Sequence, residues 1–232
     1  MSTIARSQYY DSAAAESSSL RIEAGDLQLF GDLEIPPNAS GLILFAHGSG
    51  SSRLSVRNRA VAEALRSAGL GTLLFDLLTP EEEAQDAYTG HLRFDIRLLA
   101  QRLVAVTNAI AADARAQELS IGYFGASTGG AAALIAAAAL PSKVHAVVSR
   151  GGRPDLAGEA LRIVKAPTLL IVGERDEQVL QLNESAFEQL HCEKSLAIVP
   201  RATHLFEEEG ALEKVARLAA RWFQQHLRPN ES

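Results

Sequence analysis

Short apolar runs alternate with segments of helical periodicity along most of this chain, and that alternation limits the possible fold more than any other feature. Six runs are predicted to be strands, at residues 42–46, 72–75, 119–124, 144–149, 168–172 and 196–199. Helices are predicted between them, near residues 58–68, 92–110, 131–140, 156–164, 179–190 and 212–222. Apolar strands that alternate with amphipathic helices form a mostly parallel sheet with helices on both faces. The predicted fold class is therefore α/β.

The N-terminal part follows a different pattern. Two strands, at 20–23 and 27–35, flank a turn at Gly25 and predict an antiparallel hairpin. Residues 1–19 are rich in Ser and Ala and lack the apolar core of a signal peptide, so we expect a mobile tail there. Because 232 residues suit one well-buried core and are short for two, residues 20–232 are predicted to form a single domain.

Charge and composition argue against several functional classes. The net charge of −6 disfavours a nucleic-acid-binding surface, which needs clustered Lys and Arg. No apolar run approaches the ~20 residues that cross a bilayer, so no membrane partner is expected. A single cysteine, Cys192, cannot form an intrachain disulfide and agrees with a cytoplasmic location. The sequence has neither a Cys/His cluster with metal spacing nor a phosphate-binding loop, so no metal or cofactor is predicted.

The pentapeptide Gly125-Ala126-Ser127-Thr128-Gly129 follows one predicted strand and opens a predicted helix. A G-x-S-x-G sequence in this context is typical of a nucleophile elbow, in which the serine projects from a sharp turn. The helix that follows directs its free amide groups and the positive end of its dipole toward the serine, where an oxyanion would form. Ser127 is therefore the predicted nucleophile.

A nucleophilic serine needs a neighbouring base, usually a histidine that a carboxylate orients. In a parallel sheet, reactive side chains gather at the carboxyl ends of the strands, so Asp and His residues just past the apolar runs are candidates. Asp176 follows the run 168–172, and His204 follows the run 196–199. These two residues are predicted to be the acid and the base.

Other carboxylates and histidines remain as alternatives. Asp155 lies farther past its strand, 144–149, and Glu174 lies close to Asp176, so either could replace it as the acid. The other histidines downstream of residue 90 lie on predicted helices, at helix edges or at the start of a strand: His91, His145, His191 and His226.

A tetrahedral intermediate needs two N–H donors. One is expected to be the amide of Thr128, the residue after the predicted nucleophile. The other is expected from the loop His47-Gly48-Ser49-Gly50, in which the glycines let the backbone approach a substrate oxygen closely. Within that loop Ser49 is the preferred donor and Gly48 the alternative, and His47 is expected to be structural rather than basic.

Charged residues offer weaker indications about the substrate. Arg53 and Arg57 follow the 47–50 loop, and Arg150 and Arg153 follow the strand 144–149. If they converge on the site they can bind a carboxylate or phosphate group of the substrate. The alternative is that they pair with local acids such as Asp155 or face water. The acidic segment 79–88 is predicted to be turn-like, and the glutamate runs 81–83 and 207–209 to be solvated faces or helix starts.

Taken together, His47-Gly48-Ser49-Gly50, the 125–129 pentapeptide, Asp176 and His204 resemble the α/β-hydrolase superfamily. The segments Leu73-Leu74-Phe75-Asp76 and Gly173-Glu174-Arg175-Asp176 are similar to its dienelactone hydrolase-like branch. The resemblance runs from about Leu20 to the end. It implies an α/β-hydrolase fold with a mostly parallel sheet, and the short stretch between Ser149 and Pro167 leaves no room for a lid domain.

The same resemblance implies a catalytic triad of Ser127 as nucleophile, Asp176 as orienting acid and His204 as general base. Dienelactone hydrolases proper carry a cysteine in the elbow, and this chain carries a serine. A serine favours hydrolysis of a small carboxylic ester, lactone or thioester through an acyl-enzyme. The same residues also suit acyl transfer or perhydrolysis, and the fold can serve as a catalytically silent binding protein. The sequence predicts a small-molecule partner and leaves the oligomeric state open.

Overall fold

A computed structural model describes residues 16–25 and 27–227 of the chain. Its strands form one eight-stranded sheet in the order β1-β2-β4-β3-β5-β6-β7-β8. The strands are β1 Glu16–Ala24, β2 Leu27–Ile35, β3 Leu42–Ala46, β4 Gly71–Phe75, β5 Ile121–Ala126, β6 Val144–Arg150, β7 Thr168–Gly173 and β8 Lys194–Val199. The β1–β2 and β2–β4 pairs are antiparallel and the other pairs are parallel. The predicted mostly parallel sheet with an N-terminal hairpin is confirmed.

Helices cover both faces of this sheet, as the sequence predicts. They are α1 Val56–Ser67, α2 Pro80–Thr89, α3 Ile96–Ala111, α4 Thr128–Ala139, α5 Ala160–Ile163, α6 Glu177–Gln189 and α7 Ala211–His226. One apolar core packs α3 and α4 on one face of the sheet, with Leu103 and Leu134 fully buried. A second core packs α1 and α7 on the other face, with Leu65 and Val215 fully buried. Only a 3-10 turn and the four-residue α5 lie between β6 and β7, so the described residues contain no lid domain there.

The hairpin is longer than the sequence predicts. Strand β1 begins at Glu16, which pairs with Ile35 of β2, so residues 16–19 belong to the sheet rather than to the predicted tail. Main-chain hydrogen bonds with a neighbouring strand do not depend on apolar side chains, which is why the serines there gave no strand signal. Residues 1–15 of the predicted tail lie outside the described part of the chain.

Helix α2 corrects the prediction that residues 79–88 are turn-like. The Thr79 side chain accepts a hydrogen bond from the Glu82 amide at 3.2 Å, and the Glu82 carboxylate accepts one from the Thr79 amide at 2.9 Å. This reciprocal capping box, with Pro80 at the first helical position, satisfies amides that a helix start otherwise leaves free. The glutamate run 81–83 therefore forms a helix start, where negative charge is favourable.

The long helix predicted from Leu92 is divided in two. Residues Leu92–Phe94 form a 3-10 turn, and α3 begins after Asp95, whose carboxylate accepts a hydrogen bond from the Leu98 amide at 3.0 Å. An aspartate at this position caps a new helix rather than continuing the previous one. The break turns Arg93 back toward α2, where it contacts Asp86.

Candidate active site

Ser127 lies at the sharp turn between β5 and α4. Its backbone has φ 52° and ψ −123°, a conformation that costs a non-glycine residue free energy and that is often found at functional sites. The turn packs tightly on the end of β3, because a Cβ added to Gly129 would overlap the main-chain oxygens of Ala46 and His47. Glycine at this position therefore brings the candidate nucleophile next to the 47–50 loop.

Asp176 and His204 meet at the carboxyl ends of β7 and β8. The imidazole Nδ1 of His204 lies 2.6 Å from Asp176 Oδ2, so Nδ1–H donates a hydrogen bond to the carboxylate. The His204 side chain is 39% exposed and the Asp176 side chain is 14% exposed. A Cβ on Gly173 would overlap the Ala202 main-chain oxygen, so only glycine lets the end of β7 pack this closely on the histidine turn.

Ser127 and His204 converge on the segment that leaves β6. The Ser127 amide donates to the Arg150 main-chain oxygen at 3.2 Å. Next to it, a Cβ on Gly151 would lie 3.5 Å from Cε1 of the His204 ring. Among the described residues nothing hydrogen-bonds the Ser127 hydroxyl, and such bonds are often loose before a substrate binds.

Charged side chains brace the turn that carries His204. Glu208 accepts a hydrogen bond from the Thr203 amide at 3.0 Å, and the Thr203 side chain together with the main-chain amides of this turn lowers the pKa of the Glu208 carboxyl. Glu207 pairs with Arg57 of α1 at 3.0 Å. Two residues of the 207–209 run, Glu207 and Glu208, thus stabilise this turn in addition to facing solvent. Arg57 contributes to the same contacts through its ion pair with Glu207.

The two predicted oxyanion residues contact each other. The Ser49 amide donates to the Thr128 hydroxyl at 2.9 Å, so this amide already has an acceptor. The Thr128 amide begins α4 and has no acceptor within the helix. Among the described residues the Gly48 amide also has no acceptor, and a Cβ on Gly48 would lie 3.7 Å from Ser127 Oγ. The geometry therefore favours Gly48, the alternative, over Ser49 as the second donor.

His47 fixes the candidate oxyanion loop to the end of β4. Its Nδ1 donates to the Gly48 main-chain oxygen at 3.0 Å, and its Nε2 accepts from the Leu77 amide at 3.1 Å. Burial lowers the pKa of His47, and the Gly48 oxygen and the Asp76 charge only partly offset that effect. The ring is therefore neutral, and its contacts are those of the structural residue that the sequence predicts.

Arg53 and Arg153, two of the four arginines considered for substrate binding, have acidic partners. Arg53 pairs with Asp76 through both its amide, at 2.8 Å, and its guanidinium, and its Nε lies 3.5 Å from Asp32. Arg153 makes two hydrogen bonds to Asp155, at 2.9 and 2.7 Å, which raise the pKa of Arg153. Both arginines thus follow the alternative that the sequence leaves open, in which they pair with local acids.

The two alternative candidates for the acid, Asp155 and Glu174, contact other residues. The Asp155 carboxylate is held by Arg153, and Glu174 accepts a hydrogen bond from the Arg201 amide at 2.7 Å. Asp176 is therefore the carboxylate that contacts His204.

Arg150 is buried rather than free to reach a substrate. Its guanidinium donates to Asn58 at 3.2 Å and lies 5.7 Å from the centre of the Phe206 ring. Burial and the positive charge of Arg57 lower the pKa of Arg150 to about 10. Since Phe206 follows His204 by two residues, Arg150 supports the histidine turn from beneath.

A cavity of about 350 Å³ lies beside the candidate oxyanion loop, and no sequence pattern predicted it. Residues 47–52 line it, together with Glu83, Asp86 and Arg93. These three residues come from α2 and the 3-10 turn that follows it. The capping sequence at Thr79 would have predicted the helix, but no local pattern shows which of its side chains face the loop.

Among the described residues, no group of three or more His, Cys, Asp and Glu side chains is placed to hold a metal ion. Within the same residues, no helix has the length and apolar character to span a membrane.

Comparison with known proteins adds to this geometry. The family model described as Dienelactone hydrolase family matches residues 36–228. The chain belongs to the dienelactone hydrolase family. A dienelactone hydrolase of Anabaena variabilis with a known crystal structure is 59% identical, with a TM-score of 0.91, over 92% of this chain and 99% of that one. The Est1E structure of Butyrivibrio proteoclasticus shares the fold at a TM-score of 0.74 and 17% identity, over 89% of this chain and 98% of that one.

Two curated relatives from Mycobacterium tuberculosis strains are provisionally named phosphoribosyl transferase. Each is 56% identical over 208 residues, which cover 90% of this chain and 46% of the relative. The chain thus spans about half the length of these relatives. Its membership of the dienelactone hydrolase family agrees with the observed α/β-hydrolase fold.

Proposed function

We propose that this chain is a serine hydrolase that cleaves a small carboxylic ester, lactone or thioester through an acyl-enzyme intermediate. The observation that carries the proposal is the 2.6 Å hydrogen bond between His204 and Asp176 beside the strained turn at Ser127. A base with a fixed tautomer next to a serine at a strand–helix elbow is the arrangement that activates a serine hydroxyl.

In the first step the Ser127 hydroxyl attacks the acyl carbon and passes its proton to Nε2 of His204. The Asp176 carboxylate accepts a hydrogen bond from Nδ1–H, so Nε2 is free to take the serine proton, and the carboxylate stabilises the imidazolium that forms. The amides of Thr128 and Gly48 donate to the oxyanion of the tetrahedral intermediate. Removal of one such donor typically costs about 100- to 1000-fold in kcat.

In the second step the imidazolium gives its proton to the leaving oxygen or sulfur, and the acyl group stays on Ser127. His204 then takes a proton from water as the water attacks the acyl carbon. As the tetrahedral intermediate collapses, the imidazolium returns this proton to Ser127 Oγ, the acid is released and the free serine is restored. Every proton in this scheme moves between Ser127, His204, water and substrate.

The substitution Ser127→Ala tests the assignment, with p-nitrophenyl acetate as substrate and a fluorophosphonate as covalent probe. Turnover is expected to fall by at least about 1000-fold and labelling to vanish, while the circular dichroism spectrum is unchanged. The matched control is Ser185→Ala on the exposed side of α6. Equal turnover in the wild type and Ser127→Ala would reject the serine mechanism, and a folded wild type that takes no label would favour a silent binding protein.

We infer that hydrolysis, rather than the phosphoribosyl transfer named for the mycobacterial relatives, is the reaction of this chain. The hydrolase family match covers residues 36–228, whereas the chain spans only 46% of those relatives. Incubation with phosphoribosyl pyrophosphate and adenine is expected to release no pyrophosphate. Release at enzymatic rates would reverse the inference.

A cytoplasmic location, favoured by the single Cys192, and a small-molecule ester as the partner complete the proposal.

A further inference from the structure

The cavity beside the 47–52 loop opens next to the candidate nucleophile, because Gly48 both lines it and adjoins Ser127. An adjacent hollow of about 470 Å³ shares Ser49, Gly50 and Arg93 with it. The cavity and the hollow together form one continuous depression. An ester held at Ser127 can therefore extend across the loop into this depression. The groups that line this depression define which ester fits.

Arg93 presents a fixed donor to the cavity. Its Nε pairs with Asp86, and its Nη2 donates to the Asp86 main-chain oxygen at 2.7 Å. Asp86 is only 2% exposed and also accepts from the Leu92 amide at 2.6 Å, so the pair is rigid. The remaining nitrogen, Nη1, lies 3.8 Å from the position of a Cβ on Gly50, and among the described residues no acceptor takes its protons.

Glu83 supplies an acceptor on the same cavity. Among the described residues its exposed carboxylate has no ion-pair partner within 4.0 Å and no hydrogen-bond donor, and it lies near both Asp76 and Arg53. Because Asp86 neutralises Arg93 and Asp76 pairs with Arg53, the charge of Glu83 makes the cavity lining negative overall. That excess opposes a substrate carboxylate or phosphate and favours an uncharged group. A hydroxyl can both donate to a carboxylate and accept from a guanidinium.

Two aromatic side chains complete the hollow. Tyr88 is 94% exposed and Phe94 is 61% exposed, and both line it beside Arg93. Large exposed aromatic surface next to convergent polar groups is typical of ligand sites. A saturated ring that carries hydroxyls can pack its apolar face against an aromatic ring, while the hydroxyls at its edge hydrogen-bond to charged groups.

We propose that this depression binds the uncharged, hydroxyl-rich part of the substrate, so that the preferred ester is that of a sugar-like polyol. The proposal rests on the hydrolase function proposed above and names its substrate class. Glu83, Arg93 and Phe94 are the specificity-determining residues.

Three esters distinguish a polyol, an apolar and an anionic substrate: glucose 6-acetate, hexyl acetate and monoethyl succinate. For the wild-type protein, kcat/KM for glucose 6-acetate is expected to exceed that for each of the other two by about tenfold or more, the gain of one charge-assisted hydrogen bond. Preference for hexyl acetate or for the anionic succinate ester would overturn the proposal. If p-nitrophenyl acetate is not hydrolysed either, the hydrolase function itself fails.

Matched variants test which side chains cause the preference for glucose 6-acetate. Arg93→Met and Glu83→Gln are each expected to lower kcat/KM for glucose 6-acetate by about tenfold, mainly through KM, and to leave hexyl acetate within about twofold. Arg97→Met, on the exposed side of α3, is the control and is expected to change neither substrate.

Because Arg93→Met leaves the buried Asp86 unpaired and can disturb folding, Phe94→Ala provides an independent test at an exposed position. It is expected to raise KM for glucose 6-acetate several-fold, about the loss of one aromatic contact, without changing thermal stability. If Glu83→Gln and Phe94→Ala both leave the glucose 6-acetate parameters unchanged, the assignment of this depression is wrong.

Discussion

Asp176 and Asp155 follow neighbouring strands, yet their carboxylates have different partners. Asp176 accepts a hydrogen bond from Nδ1 of His204, whereas Asp155 is held by two hydrogen bonds from Arg153. In the proposed mechanism a carboxylate that orients the imidazole acts on the transition state, while a partly exposed ion pair contributes little to stability or rate.

Asp176→Asn is therefore expected to lower kcat for p-nitrophenyl acetate by about 1000- to 10,000-fold, because an amide selects the wrong imidazole tautomer. Asp155→Asn is the matched control and is expected to stay within about threefold of the wild type. Steady-state rates of both purified variants measure the difference. A larger loss in Asp155→Asn would make Asp155 the orienting acid.

His47 links stability to pH. Burial lowers its folded pKa, so the unfolded chain, with an ordinary value of about 6.5, binds the proton first as the pH falls. Its contribution is thus fully present above about pH 6.5 and is lost as the pH drops toward the lowered folded value. Protonation also removes the acceptor of the Leu77 amide.

Urea denaturation at pH 7.5 and pH 5.5 measures this effect. We expect the free energy of unfolding of the wild type to fall more between these values than that of His47→Gln. His226, whose pKa burial also lowers, is present in both proteins and cancels in the comparison. The control is His91→Gln at an exposed position, which should behave as the wild type. An identical fall in His47→Gln and the wild type would show that His47 is not the linked group.

Helix α2 depends on its first turn. The capping box between Thr79 and Glu82 satisfies main-chain amides at the helix start, and Glu82 also pairs with Arg102 of α3 at 2.6 Å. The same short helix carries Glu83 and Asp86 to the cavity. Its stability therefore determines how well the proposed substrate depression is formed.

Thr79→Ala is expected to lower the free energy of unfolding by about 1 kcal/mol, the usual cost of losing an N-cap side chain. The control is Thr89→Ala, since Thr89 is exposed in the last turn of the same helix and caps nothing at its start. Urea denaturation at neutral pH compares the two variants. Equal stabilities of Thr79→Ala and Thr89→Ala would contradict a stabilising role for the cap.

At the scale of the whole molecule, a single continuous sheet separates two apolar cores, and every strand from β1 to β8 pairs with its neighbour. The unique tryptophan, Trp222, lies on α7 and donates to the Pro167 main-chain oxygen at 3.3 Å. It reports on one core directly, while circular dichroism reports on the helices of both.

Because both cores share the sheet, we expect one cooperative unfolding transition in urea for the isolated 232-residue chain. Trp222 fluorescence, far-ultraviolet circular dichroism and esterase activity are expected to give the same midpoint. The presence of a reducing agent should not shift it, since the chain has only one cysteine. Separate midpoints for fluorescence and circular dichroism would instead indicate that the two faces unfold independently.

The sequence by itself determined the sheet, the helices on both faces and the order of the residues at the strand ends. Periodicity and the turn at residues 125–129 are local properties, since neighbours in the chain decide whether a segment is extended, helical or sharply turned. For the same reason Asp176 and His204 could be placed past the ends of β7 and β8. The cap of α2 is equally local, since Thr79 and Glu82 lie three residues apart, and it predicts the start of this helix.

Only the tertiary structure decided which polar groups pair. Arg53 meets Asp32 and Asp76, the Ser49 amide meets the Thr128 hydroxyl, and Arg93 turns back to Asp86. Such contacts join segments that are distant in the chain or separated by a helix break, and hydrogen bonds depend on separations of a few tenths of an ångström. Periodicity reports which face a side chain occupies, and it carries no information about which partner lies opposite.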